Sequence, residues 1–78
     1  MKTYEFSLVL TASEVTEQDC DALFEAGCDD GTVVTRAGVS YVAFDRQADS
    51  LEAAIRSATA QVRAAGFEVA RIEMDALV

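Results

Sequence analysis

The chain has 78 residues, 51% of them hydrophobic, with 14 acidic against 6 basic side chains and a formal net charge of −8. This length predicts a single domain over residues 1–78, and the apolar fraction argues against disorder despite the charge. The acids concentrate in the first half, where they would repel a phosphate backbone, so we expect no direct nucleic-acid binding. Because no apolar run reaches bilayer length and the first residues lack a signal-peptide layout, we expect a cytoplasmic protein without membrane contact.

The first two predicted elements are a strand and a short helix. Large and small or polar side chains alternate from Tyr4 to Leu10, which is the period of a strand with one buried face. Thr16 offers an N-cap, Asp19 completes a capping box, and Gly27 is placed to end the helix near residue 26. We expect this helix to bury three side chains, Cys20, Leu23 and Phe24.

A β-hairpin is predicted next. The turn signal Asp-Asp-Gly precedes a β-branched run, and a second extended run follows Ala37 and Gly38. With a two-residue turn, Val34 lies opposite Tyr41. The same register assigns three side chains to the core, Val33, Val42 and Phe44.

The longest predicted helix lies between Asp49 and Gly66. Asp49 is its expected N-cap, with Glu52 three residues on, and Gly66 sits where a left-handed C′ residue belongs. Apolar residues recur at helical spacing and form the expected buried stripe, Leu51, Ile55, Ala58, Val62 and Ala65.

Residues 67–74 predict a last strand whose alternation slips, which a β-bulge near Ala70 or Arg71 would reconcile. The element order β-α-β-β-α-β predicts an α+β, ferredoxin-like sandwich. In that fold the strand order is 4-1-3-2, and two helices cover one face of an antiparallel sheet.

The opposite sheet face is then open and partly apolar. We expect it to mediate self-association as a homodimer, because an apolar face on so small a protein usually meets something. Tyr41 should lie near its centre, and the expected contact residues are Val9, Val34, Val39 and Tyr41.

Acidic residues recur every four positions along the first helix, at Glu17, Asp21 and Glu25. Two interpretations fit this flank. It is either a solvated face that keeps the protein soluble or a docking surface for a basic protein partner.

Recognisable catalytic groups are missing from the sequence. There is no His, the one Lys is Lys2, and no nucleophile accompanies a base, so we expect no enzyme and no cofactor. The Asp29-Asp30-Gly31 segment predicts a turn rather than a calcium loop, and we expect no metal site. Two cysteines are too few for a disulfide framework. Cys20 and Cys28 are instead predicted to be small core residues.

Three segments carry a resemblance: LFEAGCDD at residues 23–30, FDRQADSLEAAI at 44–55 and AGFEVARI at 65–72. Together they resemble a family of short, single-domain bacterial proteins of unassigned function, some labelled loosely as regulators. The chain is also similar, at the level of element order, to ACT-type regulatory domains, although ACT-like sites favour a Gly-rich turn after the first strand. Our first hypothesis is a non-catalytic interaction module, antitoxin-like or a regulatory accessory subunit. The alternative is an ACT-like small-molecule sensor, with its ligand near residues 11–16 or at a dimer seam.

Overall fold

The computed structural model describes residues 2–12 and 14–74. Within them the elements are β1 (Lys2–Leu10), α1 (Glu17–Glu25), β2 (Gly31–Arg36), β3 (Val39–Ala48), α2 (Leu51–Ala64) and β4 (Val69–Met74). The strands of this described part form one antiparallel open sheet in the order β2-β3-β1-β4, which is 4-1-3-2 when read from β4. The fold is α+β and compatible with a ferredoxin-like sandwich. Neither α1 nor α2 is long and apolar enough to cross a membrane.

The hydrophobic core lies between one sheet face and both helices. Phe6 of β1 is paired with Phe44 of β3, and their rings stack with centroids 5.5 Å apart. Leu23 of α1 and Val62 of α2 belong to the same buried cluster as these rings, so both helices cover this face. The other members of the cluster are Leu8, Leu10, Cys28, Val42, Ala54 and Ala58.

The predicted helix ends are confirmed at three of four positions. Thr16 and Asp19 form the capping box, while Gly27 and Gly66 follow the helices with φ of 110° and 102°. The prediction of Asp49 as the N-cap of α2 is wrong. Ser50 caps the helix instead, because its backbone is extended and its hydroxyl accepts from the Ala53 N–H at 3.1 Å.

The expected buried stripe of α1 is partly wrong. Leu23 is buried, but Cys20 is exposed and Phe24 is 66% exposed. The neighbours Ala22 and Ala26 are partly buried. Since successive helical residues are ~100° apart, placing Leu23 and these alanines inward turns Phe24 outward.

The inward face of α2 is also centred on small residues. Ala54, Ala58 and Val62 are fully buried, whereas Leu51 and Ile55 only pack against the core from its edge. The predicted stripe therefore holds at Ala58 and Val62, and Ala54 was missed.

The hairpin and the bulge match their predictions. Ala37 and Gly38 have φ of 53° and 78° and join Arg36 directly to Val39, as a two-residue turn requires. On β4, Val9 pairs with Arg71 and Leu10 with Val69, so Ala70 is the extra residue of a bulge. The bulge brings Val69 and Ile72 onto the helix side of the sheet despite their odd spacing.

Candidate interaction surfaces

A row of paired side chains crosses the open face at all four strands of the described sheet. Tyr41 lies between Val34 of β2 and Val9 of β1, and Val9 is paired in turn with Arg71 of β4. The next row consists of small or polar side chains, Thr32, Ala43, Ser7 and Glu73. A bulky row therefore lies beside a shallow one, with Tyr41 at the centre of the bulky row.

Charge is separated along the strands of the open face. Glu5 and Asp45 are direct cross-strand partners at one end, where like charges destabilise the sheet. Neither forms a salt bridge with another described residue. Arg36 lies towards the opposite end, whereas Arg71 is bonded to Glu73 of its own strand at 2.9 Å. The face thus has a carboxylate end at Glu5 and Asp45 and a positive charge, Arg36, towards the other end.

The four residues predicted for self-association do share the open face, but they are not equally accessible. Val39 is 41% exposed, and Val34 and Tyr41 are partly exposed. Val9 is only 3% exposed, between its neighbours Tyr41 and Arg71. Val9 therefore lies at the base of the patch that these four residues form, and Tyr41 and Val39 supply its exposed contact area.

The outer side of α1 carries the predicted acids. Glu17, Asp21 and Glu25 are all exposed, whereas Asp19 is occupied by the capping box. The exposed ring of Phe24 adds an apolar group that the sequence interpretation had placed in the core. Because α1 covers the helix side of the sheet, this acidic surface and the open face lie on opposite sides of the molecule.

A buried ionic cluster lies where β3, α2 and the loop before β2 meet. Arg46 is 8% exposed, and its Nε and Nη2 donate to the two carboxylate oxygens of Asp30, both at 2.8 Å. Nη1 donates to the Ser57 hydroxyl at 3.0 Å, and Nη2 also donates to the Gly27 carbonyl at 3.1 Å. The guanidinium carbon lies 5.0 Å from the centre of the Phe44 ring. With so many of its donors engaged internally, Arg46 acts as a structural clamp rather than a ligand group.

Charge and burial shift the pKa values around this clamp. Hydrogen bonds from Arg46 lower the pKa of Asp30, and the same bonds raise the pKa of Arg46. Burial raises the pKa of the Cys28 thiol, although nearby Arg46 opposes that shift. Cys28 is thus a buried, protonated thiol, as expected of a core residue.

Sequence reasoning missed the clamp, although one signal pointed to it. Arg46 continues the alternation of Val42 and Phe44 on the core side of β3. A charged residue at a core position requires a buried partner. Asp30 lies one step beyond the paired residues of β2, and its carbonyl accepts from the Asp45 N–H at 3.2 Å, so extending the predicted hairpin register by one pair would have placed it beside Arg46.

Among residues 2–12 and 14–74, no three His, Cys, Asp or Glu side chains gather as a metal site. Of the segment considered for a small ligand, Ser13 lies outside the described residues, and the Thr16 hydroxyl is used in capping α1.

Comparison of the chain with family models, with curated proteins and with solved structures finds no match.

Proposed function

We propose that this chain is a non-catalytic interaction module that forms a homodimer through the open sheet face. Its strand order and its two helices on one side support a ferredoxin-like assignment. The observation that carries the proposal is the self-complementary shape and charge of the open face. A surface that matches its own two-fold image fits a second copy of the same chain.

The shape argument starts from a two-fold axis parallel to the sheet and perpendicular to its strands. We place the axis at the level of Leu8 and Val42, a cross-strand pair between the bulky and the shallow row. Each bulky row then lies over the shallow row of the second copy, so Tyr41 projects onto Ala43. Sheets packed face to face lie ~10 Å apart, a gap that a tyrosine side chain opposite an alanine can fill.

The charges of the open face favour the same axis. It brings Arg36 of each copy towards the carboxylate end of the other, where its charge would reduce the repulsion between Glu5 and Asp45. It also crosses the Arg71–Glu73 pair of one copy, bonded at 2.9 Å within its own chain, with the same pair of the second copy, so that opposite charges meet. An axis parallel to the strands would instead stack the two carboxylate ends, so we favour the perpendicular axis.

The outer side of α1 is proposed as the docking surface for a basic protein partner. Glu17, Asp21 and Glu25 offer a uniform negative flank, and Phe24 adds an exposed aromatic anchor. Because the surface lies away from the open face, dimerisation leaves it accessible. A dimer would thus present two such surfaces, as suits an antitoxin-like or regulatory accessory subunit.

The self-association test is Tyr41→Asp, with Gln47→Asp as the matched control. Both changes add one negative charge to the open side of β3, but Gln47 lies beyond the patch. We expect Tyr41→Asp to weaken the dimer at least ~10-fold, since it removes an aromatic anchor and buries a charge. Gln47→Asp should not weaken the dimer, because its added charge falls at the carboxylate end, towards which the axis brings Arg36 of the second copy. A wild-type protein that sediments as a monomer at high micromolar concentration would contradict the proposal.

The partner test compares proteins captured from a lysate by wild type and by Asp21→Lys with Glu25→Lys. A control bait carries the same charge change at the exposed residues Asp49 and Glu68. We expect the double reversal on α1 to lose basic proteins that both other baits retain, and raised salt to release them. The same captured set with all three baits would reduce the α1 flank to a solvated acidic face.

A further inference from the structure

A second apolar surface lies on the helix side, along the exposed edge of α2. A shallow groove of about 670 Å³ follows this helix for its whole length, from Leu51 to Arg63. Leu51 and Ile55 form its apolar part, because Ala54 and Ala58 face the core in their place. Ile72 and Met74 of β4, also on the helix side of the sheet, are 44% and 51% exposed.

We propose that this face of α2 binds α2 of a second copy, antiparallel and about a two-fold axis, as an interface separate from the open sheet face. The first argument is the order of charges. Glu52 lies in the first turn of the groove and Arg63 in the last, ~16 Å away along the helix. Antiparallel pairing places Glu52 of each copy beside Arg63 of the other.

The second argument is the order of sizes. If Glu52 meets Arg63, the axis crosses α2 midway between them, and every contact pairs positions that are equally far from it. Ile55 then lies on Ala60 of the second copy, a large side chain on a small one. In the same register Arg56 meets Thr59. Six of the seven lining residues thus map onto other lining residues, as an isologous interface requires, and Leu51 maps onto the small, exposed Ala64 next to the groove.

Parallel pairing of the two helices would be unfavourable. Glu52 would meet Glu52 of the second copy, and Arg63 would meet Arg63. Ile55 would then face Ile55, with an arginine of each copy beside them. Within the described chain, Glu52 bonds Arg56 at 2.7 Å and retains a second carboxylate oxygen for an arginine of the other copy. Charge therefore selects the antiparallel arrangement.

The size of the α2 surface also sets the expected strength of this association. A helix of 14 residues is ~21 Å long, so one helix pair buries less than the roughly 1,200–2,000 Å² of a standard interface. Ile72 and Met74 extend the apolar area at its side. We expect association in the micromolar range or weaker, so that a chain with both interfaces assembles beyond the dimer only at high concentration.

The test uses the Tyr41→Asp protein, in which α2 is the remaining interface. Sedimentation equilibrium should show a monomer–dimer equilibrium. Adding Arg63→Glu should weaken it at least ~10-fold, since like charges then face each other twice, and adding Glu52→Arg to that variant should restore it. Ala53→Arg, off the groove in the same first turn, is the control for a charge change and should have no effect. Circular dichroism confirms that each variant is folded.

The outcomes separate the two interfaces. A Tyr41→Asp protein that stays monomeric while wild type dimerises would overturn the α2 interface and leave the proposed sheet dimer intact. Failure of Glu52→Arg to restore association in the folded Arg63→Glu variant would overturn it as well. A wild-type dimer unaffected by Tyr41→Asp but dissociated by Arg63→Glu would support the α2 interface and refute the sheet-face dimer.

Discussion

Replacing Arg46 by Met should remove the clamp while preserving the apolar stem that packs near Phe44. The change deletes four hydrogen bonds, to Asp30 twice, to Ser57 and to the Gly27 carbonyl. Hydrogen bonds to charged groups contribute ~1.5–3 kcal/mol each, but the Asp30 side chain is 30% exposed and can regain water. We therefore expect a loss of about 2–4 kcal/mol in the free energy of unfolding.

The matched control is Arg56→Met, which makes the same chemical change on the surface. Arg56 pairs with Glu52 at 2.7 Å, but both side chains are more than three-quarters exposed. An exposed i,i+4 pair contributes no more than about 0.5 kcal/mol. Urea unfolding followed by circular dichroism, at one fixed protein concentration, measures both variants. A difference between them below about 0.5 kcal/mol would refute the structural role of the clamp.

The clamp also predicts the acid dependence of stability. Because Arg46 lowers the folded pKa of Asp30, the pair stabilises the fold above the unfolded carboxyl pKa of ~3.9. This contribution is lost as pH falls through the lower, folded pKa. The stability difference between wild type and Arg46→Met should therefore be constant from about pH 5 to 8 and shrink in stronger acid. A difference that grows on acidification would contradict the assignment.

Three further predictions follow from burial and backbone geometry. Leu23→Ala should cost about 2–5 kcal/mol while Phe24→Ala stays within about 0.5 kcal/mol, measured by the same urea titration, because their exposures are 2% and 66%. A thiol reagent should label one cysteine in the folded protein and two in urea, and Cys20→Ser should abolish the native labelling because Cys28 is buried. Ala37→Asn should raise the melting temperature by a few degrees, since Asn tolerates the φ of 53° better than Ala, and a lower melting temperature would contradict the turn assignment.

Local signals predicted most of the architecture. The capping box at Thr16, the hairpin turn at Ala37 and Gly38 and the bulge at Ala70 each depend on contacts a few residues apart or on strict alternation. The composition of the open face followed from the hairpin register, because Val34 and Tyr41 must share a side. These features could be predicted from the sequence because they do not depend on how helices and strands pack against each other.

The errors concern the rotation of helices against the sheet. A stripe of large residues predicted Cys20, Leu23 and Phe24 inside, but Leu23 alone of the three is buried, and the partly buried residues beside it are Ala22 and Ala26. Sequence periodicity gives the angle between successive side chains around the helix axis. It does not determine which side of the helix faces the sheet when both small and large residues could form the buried side. Likewise, Asp49 and Ser50 are both good N-caps, and only the backbone conformation decides between them.

The most direct measurement of the proposed dimer is an isotope-filtered nuclear Overhauser experiment on a mixture of labelled and unlabelled copies. The perpendicular axis predicts intermolecular contacts from the Tyr41 ring to the Ala43 methyl group. Those contacts should disappear on dilution below the dissociation constant. A dimer that shows no intermolecular contact at Tyr41, or one in which Glu5 lies beside Asp45 of the second copy, would contradict the account.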